Sequence, residues 1–158
     1  MNINTARIET ELTSLLEEFV TRFRLRERAS ITISQDEQEG TDFRVEPFED
    51  AFARFWGNYV NNVQWINVYI AENTMLEVPV GGRQYTDKEG IEELTGILEA
   101  VVKGGIEEEV WKHHDEVVKS VGTMHVDGEA KPTVITCYDT HNPFSAKTKS
   151  TKRYLPYV

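Results

Sequence analysis

The sequence has almost no cysteine and no long hydrophobic run. Cys137 is the only cysteine among 158 residues, which excludes a disulfide within the chain and a zinc site built from cysteines. No apolar stretch approaches the roughly 18 residues of a membrane-spanning helix. The first residues also lack the charged and apolar regions of a secretory signal. We therefore expect a cytoplasmic protein that does not bind membranes.

Positive charge is scarce as well. The 17 Lys and Arg stand against 27 Asp and Glu, which gives a formal net charge of −10. Nucleic-acid binding needs clustered basic residues, so we expect none. Four basic and no acidic residues fall within 140–158, and this segment either folds back on the acidic body or is a frayed terminus. We predict one globular domain over 1–143 and a basic C-terminal tail over 144–158.

Hydrophobic spacing predicts the elements of the first third of the chain. Apolar residues at steps of three and four predict an amphipathic helix over about 5–24. Alternation over 30–34 predicts a strand, and a short second strand at 43–45 completes a hairpin. Pro47 suits the first turn of a helix. The helical spacing of the aromatic residues that follow predicts a helix at about 47–59.

The remaining chain predicts further strands and a third helix. Residues 63–71 alternate as a strand, and 75–80 return as its partner. A capping box at 86–89 begins a helix that a double glycine ends. Residues 106–121 fit a helical stripe or a hairpin, and dense valine favours the hairpin; 133–138 is the last strand. The pattern predicts an α+β fold, with an antiparallel sheet of about five to seven strands, an N-terminal amphipathic helix and two further helices.

Three polar clusters could carry chemistry, but each has a simpler explanation. The run His113 to Glu116 is typical of a hairpin turn, because adjacent side chains diverge and cannot share one metal ion. Cys137 and His141 lie about 13 Å apart on an extended strand, so a buried core cysteine is favoured. The run Glu107 to Glu109 predicts a solvated face, with Glu108 at an edge or held inward by a cation. We expect no catalytic residue, metal or cofactor.

Aromatic residues crowd the segment 43–69, and most of them should build the core. Phe55 and Trp56 are neighbours that cannot both face the same way, so Trp56, Tyr59 or Trp65 could instead line a cleft or a partner-binding surface. Trp and Tyr are common anchors of protein interfaces. The leading hypothesis is a small acidic protein-binding module without catalysis, such as an inhibitor, immunity or chaperone-like protein, that binds a basic partner. The predicted partner-binding residues are Glu107, Glu109, Asp115, Glu116, Trp56, Tyr59 and Trp65.

Two alternatives remain open. One is a small-molecule-binding or enzymatic α+β domain, in which aromatic residues line a pocket. Its candidate residues are Tyr59, Trp65, Tyr69, His125 and His141. The other is a homo-oligomer, because long apolar strands can pair at their edges or bury a face.

Overall fold

The computed structural model describes residues 3–36, 40–60, 65–80, 87–126, 129–135 and 147–158. Within these ranges the chain forms two α-helices and nine strands. They are α1 Ile3–Arg22, β1 Ala29–Asp36, β2 Gly40–Pro47, β3 Phe55–Tyr59, β4 Trp65–Ile70, β5 Thr74–Pro79, α2 Asp87–Gly104, β6 Ile106–His113, β7 Glu116–Val126, β8 Glu129–Ile135 and β9 Thr148–Tyr154. The predicted α+β class and N-terminal helix are confirmed. Neither described helix is long and apolar enough to cross a membrane.

The described strands form two antiparallel sheets rather than the one that was predicted. The larger sheet is a meander in the order β1-β2-β3-β4-β5, so each strand pairs with its neighbour along the chain. The smaller sheet has the order β8-β7-β6-β9. Its last strand joins the outer side of β6 instead of following β8. The sheet split is a tertiary feature, because the alternation of side chains within a strand does not say which sheet the strand joins.

The helix predicted over 47–59 is wrong. Pro47 ends β2, and a turn follows in which the N–H of Phe52 donates to the carbonyl of Glu49 at 3.2 Å. The chain then enters β3, whose residues alternate between buried and partly exposed. Aromatic residues three and four positions apart fit a helix, but β3 gains a ladder on each side from β2 and β4. Long-range pairing therefore overrides the local pattern.

The basic C-terminal segment folds back on the acidic body instead of fraying. Thr148–Tyr154 is strand β9 and pairs antiparallel with β6 along its length. Lys149 forms an ion pair with Glu109 of β6. Lys152 places its Nζ 2.9 Å from a carboxylate oxygen of Glu72 in the β4–β5 turn. The strand predicted at 133–138 corresponds to β8 up to Ile135 and is followed by β9; residues 136–138 lie outside the described ranges.

One hydrophobic core joins both helices and both sheets. Helix α1 packs on β1 and β2, whereas α2 packs on β5 and β7. Leu12 and Leu94 from the helices, Ile66 from the larger sheet and Ile106 from the smaller one are fully buried in the same cluster. The predicted hairpin within 106–121 is confirmed as β6 and β7. In the described strands, the residues that alternate with the core positions are partly or fully exposed on the opposite face of each sheet.

Candidate functional site

The outer face of the larger sheet carries aromatic side chains among polar ones. The register places Thr32, Arg44, Trp56, Tyr69 and Met75 in one row across the five strands. A second row contains Ser34, Asp42, Asn58, Asn67 and Glu77. We call the surface that these two rows form the aromatic face. It exists because residues two apart on a strand point to the same side of the sheet.

Trp56 and Tyr69 form a stacked pair at the centre of this face. Their ring centroids are 5.1 Å apart and the ring planes differ by 8°. The guanidinium of Arg54 lies 5.2 Å from the centroid of Trp56. Both aromatic side chains are partly exposed. Tyr69 thus covers one face of the Trp56 ring, and the Arg54 guanidinium lies close to the same ring.

An open cleft of about 480 Å³ lies beside the stacked pair. Its lining residues come from β1 to β4: Thr32, Ser34, Asp42, Phe43, Arg44, Trp56, Gly57, Asn58 and Tyr69. Asp42 and Arg44 are exposed and supply one charge of each sign. The amide of Asn67 donates to Asn58 Oδ1 at 3.0 Å, which orients that side chain at the margin of the cleft. The cleft can therefore hold an apolar stem and hydrogen-bond or ion-pair with a polar end.

The three aromatic residues predicted to bind a partner do not lie together. Trp56 lines the cleft. Trp65 is 43% exposed at the first position of β4, on the same side of the sheet but not in the cleft lining. Tyr59 is only 2% exposed and belongs to the core. The aromatic residue that stacks on Trp56 is Tyr69, which was a candidate only for the pocket alternative.

The predicted acidic residues lie on the smaller sheet. Glu107 and Glu109 point away from the core on β6, between the neighbouring strands β7 and β9. Glu109 is ion-paired with Lys149. Asp115 and Glu116 are exposed at the β6–β7 turn, where His114 and Asp115 have positive φ angles of 48° and 70°. A tight hairpin turn of this kind matches the sequence prediction.

Strand β9 places basic charge directly beside these acids. Lys149 Nζ also lies 5.0 Å from the ring centroid of Trp111, and Lys119 Nζ lies 4.7 Å from it. The register sets Arg153 opposite Glu107. The outer face of the smaller sheet is therefore of mixed charge, although its β6 sequence is acidic.

Glu108 is the polar residue whose role the sequence did not reveal. It points inward between Ile106 and Val110 and is 1% exposed. Its Oε1 accepts from the N–H of Asn73 at 2.9 Å and from Thr74 Oγ1 at 2.7 Å. Its Oε2 accepts from the N–H of Glu72 at 3.3 Å and from the Asn73 amide at 3.4 Å. Glu108 is thus held inward by hydrogen-bond donors of the β4–β5 turn, so the predicted solvated face is wrong for this residue, and the donors are not the cation of the second predicted arrangement.

Two small residues complete this joint between the sheets. Ser120 Oγ donates to the carbonyl of Asn73 at 2.8 Å. Gly122 lies opposite Glu108 in the register, and a Cβ there would come within 2.5 Å of Thr74 Oγ1. Glycine leaves the space that Thr74 needs to reach the carboxylate. The sequence did show that Glu108 shares a strand face with Ile106 and Val110. It could not show which residues accept or donate there, because the partners of Glu108 lie more than 30 positions away along the chain.

Three ionisable groups meet beside this joint. The hydrogen bond from Lys152 lowers the pKa of Glu72, and the same contact raises the pKa of Lys152. Burial raises the pKa of Tyr154 above its ordinary value. A pocket of about 220 Å³ lies next to them. The ion pair between Glu72 and Lys152 thus links the β4–β5 turn to β9 at the surface.

The remaining candidates do not assemble a metal or nucleophile site in the described part of the chain. No three His, Cys, Asp or Glu side chains there converge as metal ligands. Cys137 and His141 lie outside the described ranges, and so does the side chain of His125. Among the described surfaces, the aromatic face combines a partly exposed aromatic pair, an open cleft and exposed side chains of both charges. The chain matches no protein-family model, no curated protein and no solved structure.

Proposed function

We propose that this chain is a protein-binding module that acts without catalysis, and that its partner binds the aromatic face. The observation that carries this proposal is the stacked Trp56–Tyr69 pair at the margin of an open cleft of about 480 Å³. Tryptophan, tyrosine and arginine contribute most of the binding energy in many protein interfaces. All three types occur here, with Arg44 in the same row as the pair.

The form of the stack favours a protein over a sugar. A sugar-binding aromatic residue presents a free ring face, whereas Trp56 is covered by Tyr69 and approached by Arg54. Ring edges and a neighbouring cleft suit an inserted side chain of a protein partner. The outer face of the five-stranded sheet also offers a broad area around that anchor.

Charge supports a basic partner. The net charge of −10 attracts a basic protein at long range and raises the rate of encounter. In the cleft, the exposed Asp42 can pair with a Lys or Arg whose stem packs on Trp56. Inhibitor, immunity and chaperone-like proteins act in this manner, by occupying a partner's surface. Because β9 compensates the acids of β6, the aromatic face supports this function better than the outer face of the smaller sheet does.

Site-specific photo-crosslinking tests the proposal. A benzophenone side chain replaces Asn58 in the cleft or, as the matched control, Thr123 on the outer face of the smaller sheet, in cells that make the protein. We expect one protein, rich in Lys and Arg, to be crosslinked from position 58 and not from position 123. Crosslinking from position 123 alone, or the same set of proteins from both positions, would contradict the proposal.

An alanine substitution then measures the anchor. Trp56→Ala should weaken binding of the captured protein by roughly 2 kcal/mol, about 30-fold in Kd, as for a central interface tryptophan. Trp111→Ala on the smaller sheet is the control and should leave Kd unchanged. If no protein is captured but a small molecule raises the Tm of the wild type and not of Trp56→Ala, the alternative of a small-molecule-binding domain replaces this one.

A further inference from the structure

Strand β1 is an edge of the larger sheet and has a strand neighbour on one side only. It stands first in the order β1-β2-β3-β4-β5, and among the described residues no strand lies beyond it. In an antiparallel ladder, alternate residues direct their N–H and C=O groups to the partner strand, and the others direct them away. Half of the backbone groups of β1 therefore face the side on which the described residues place no strand, which we call the open edge.

One backbone hydrogen bond at the start of β1 shows which residues direct their N–H and C=O groups to the open edge. The N–H of Phe48 donates to the carbonyl of Arg28 at 2.9 Å, across the register pair Ala29 and Pro47. That bond makes Ala29 and Pro47 a non-hydrogen-bonded pair, which suits a proline without an N–H. Because the two kinds of pair alternate along the ladder, Ile31, Ile33 and Gln35 are also in non-hydrogen-bonded pairs with β2. The backbone groups of these four residues point to the open edge.

The composition of this edge differs from that of the edge formed by β9. Edge strands are usually protected against pairing by charged residues, proline or bulges. Strand β9 carries Lys149, Lys152 and Arg153. In contrast, residues 29–35 of β1 contain no charge, no proline and no glycine. Ile31 and Ile33 are only partly buried. The edge formed by β1 is suited to pairing.

The sequence of the strand shows what it can pair with. Ser30-Ile31-Thr32-Ile33-Ser34 reads the same in both directions. We propose that two copies of this chain form a dimer by antiparallel pairing of β1 with β1, with the two-fold axis at Thr32. Each Ile31 then lies opposite Ile33 of the second copy, and each Ser30 lies opposite Ser34. Such a self-complementary contact is what a two-fold interface requires.

Backbone and charge complementarity both fit this register. Four residue pairs, formed by Ala29 with Gln35 and Ile31 with Ile33 in both directions, each exchange two hydrogen bonds across the axis, which gives eight. In this register the sequence also sets a basic residue, Arg28, against an acidic one, Asp36, at both ends, the order of charges that cross-strand pairs favour. A shift by one or two residues would lose this match. The dimer would contain one continuous ten-stranded sheet.

Disulfide trapping tests the axis directly. In a Cys137→Ser background, Thr32→Cys places two thiols opposite each other at the axis, where Cα atoms of a non-hydrogen-bonded pair lie about 4.5 Å apart. That distance falls within the roughly 4.4–6.8 Å of disulfides. Ser34→Cys is the matched control, since its two copies would be four residue steps, about 13 Å, apart. We expect rapid crosslinking at position 32 and none at position 34.

Mass measurements on the wild type and on charged variants complete the test. Light scattering should give twice the 18.2 kDa of one chain for the wild type. Thr32→Lys and Thr32→Asp should each be monomeric, because like charges meet at the axis, and their mixture should recover the double mass. Thr151→Lys on β9 should leave the dimer intact. Circular dichroism verifies folding, since position 32 is exposed.

Several outcomes overturn the dimer. They are a wild type that stays at 18.2 kDa at all concentrations, equal crosslinking at positions 32 and 34, and a Thr32→Lys variant that keeps the double mass. These readouts do not depend on the proposed function, because they measure mass and crosslinking without the binding partner.

Discussion

Replacement of Glu108 tests whether the two sheets are joined through one buried carboxylate. Glu108→Gln keeps the shape of the side chain but turns one accepting oxygen into an NH₂ donor. With its carbonyl oxygen in the position of Oε1, glutamine keeps the shorter bonds, those of 2.9 and 2.7 Å from Asn73 and Thr74. It loses the longer ones at Oε2 and places two donors against each other at the N–H of Glu72. We expect the free energy of unfolding to fall.

The expected magnitude follows from the number of donors that lose their acceptor. A buried donor left without a partner costs about 1–3 kcal/mol. Glu108→Gln takes the acceptor from two donors, the N–H of Glu72 and the side-chain amide of Asn73, but both bonds are long and only part-buried, so the two together should cost about 1–3 kcal/mol. Glu108→Ala leaves all the donors of the β4–β5 turn unpaired and also creates a cavity, so it should cost roughly 3–5 kcal/mol. The total stability of a domain of this size is only about 5–15 kcal/mol.

Urea denaturation of the three proteins measures these differences. Glu107→Gln is the matched control, because Glu107 neighbours Glu108 but points outward, and it should change stability by less than about 0.5 kcal/mol. If Glu108→Ala does not fold, hydrogen exchange on Glu108→Gln gives a second readout, in which the amides of Glu72 and Asn73 exchange faster. A loss for Glu108→Gln no larger than that for Glu107→Gln would refute the reasoning.

Two further predictions concern burial and close packing. Tyr157 donates to the carbonyl of Ala53 at 2.7 Å, and burial raises its pKa well above the usual 10.0. Because the unfolded chain ionises first, stability should fall as the pH rises above 10, and denaturation from pH 8 to 11 should show a shallower fall for Tyr157→Phe. Gly57→Ala should cost about 1–3 kcal/mol, since a Cβ would lie 2.6 Å from atoms of the Phe43 ring. Gly96→Ala in α2, with no atom within 4 Å, should instead gain about 0.5–1 kcal/mol in the same urea assay; equal effects at the two glycines would contradict the packing argument.

Local pattern was sufficient for most elements. The period of 3.6 in α1 and α2 and the period of two in β1, β4 and β6 are properties of short segments, so they can be recognised without a fold. The β1–β2 and β4–β5 hairpins follow for the same reason, since their partners are close along the chain. The pattern of residues 106–121 favours the β6–β7 hairpin but also fits a helix. The net charge of −10 is likewise a property of the composition alone, and it argues against nucleic-acid binding whatever the fold.

The candidate site depended on the fold. Strand β3 is a strand because β2 and β4 flank it, although its aromatic spacing also fits a helix. That pairing turns Tyr59 inward and Trp56 outward onto Tyr69, which no spacing rule could distinguish. The aromatic face therefore arises from register across strands, and register is a relation between segments.

By itself, the sequence determined the α+β class, the amphipathic helices, the β1–β2 and β4–β5 hairpins and the acidic charge, and it left residues 106–121 open between a helix and a hairpin. Only the tertiary structure decided that β9 pairs with β6, that Glu108 holds the β4–β5 turn, and which aromatic residues reach solvent. The physical reason is distance along the chain. Glu108 bonds residues 34 to 36 positions away, and Lys152 pairs with Glu72 across 80 positions. Such contacts form only when the whole core packs.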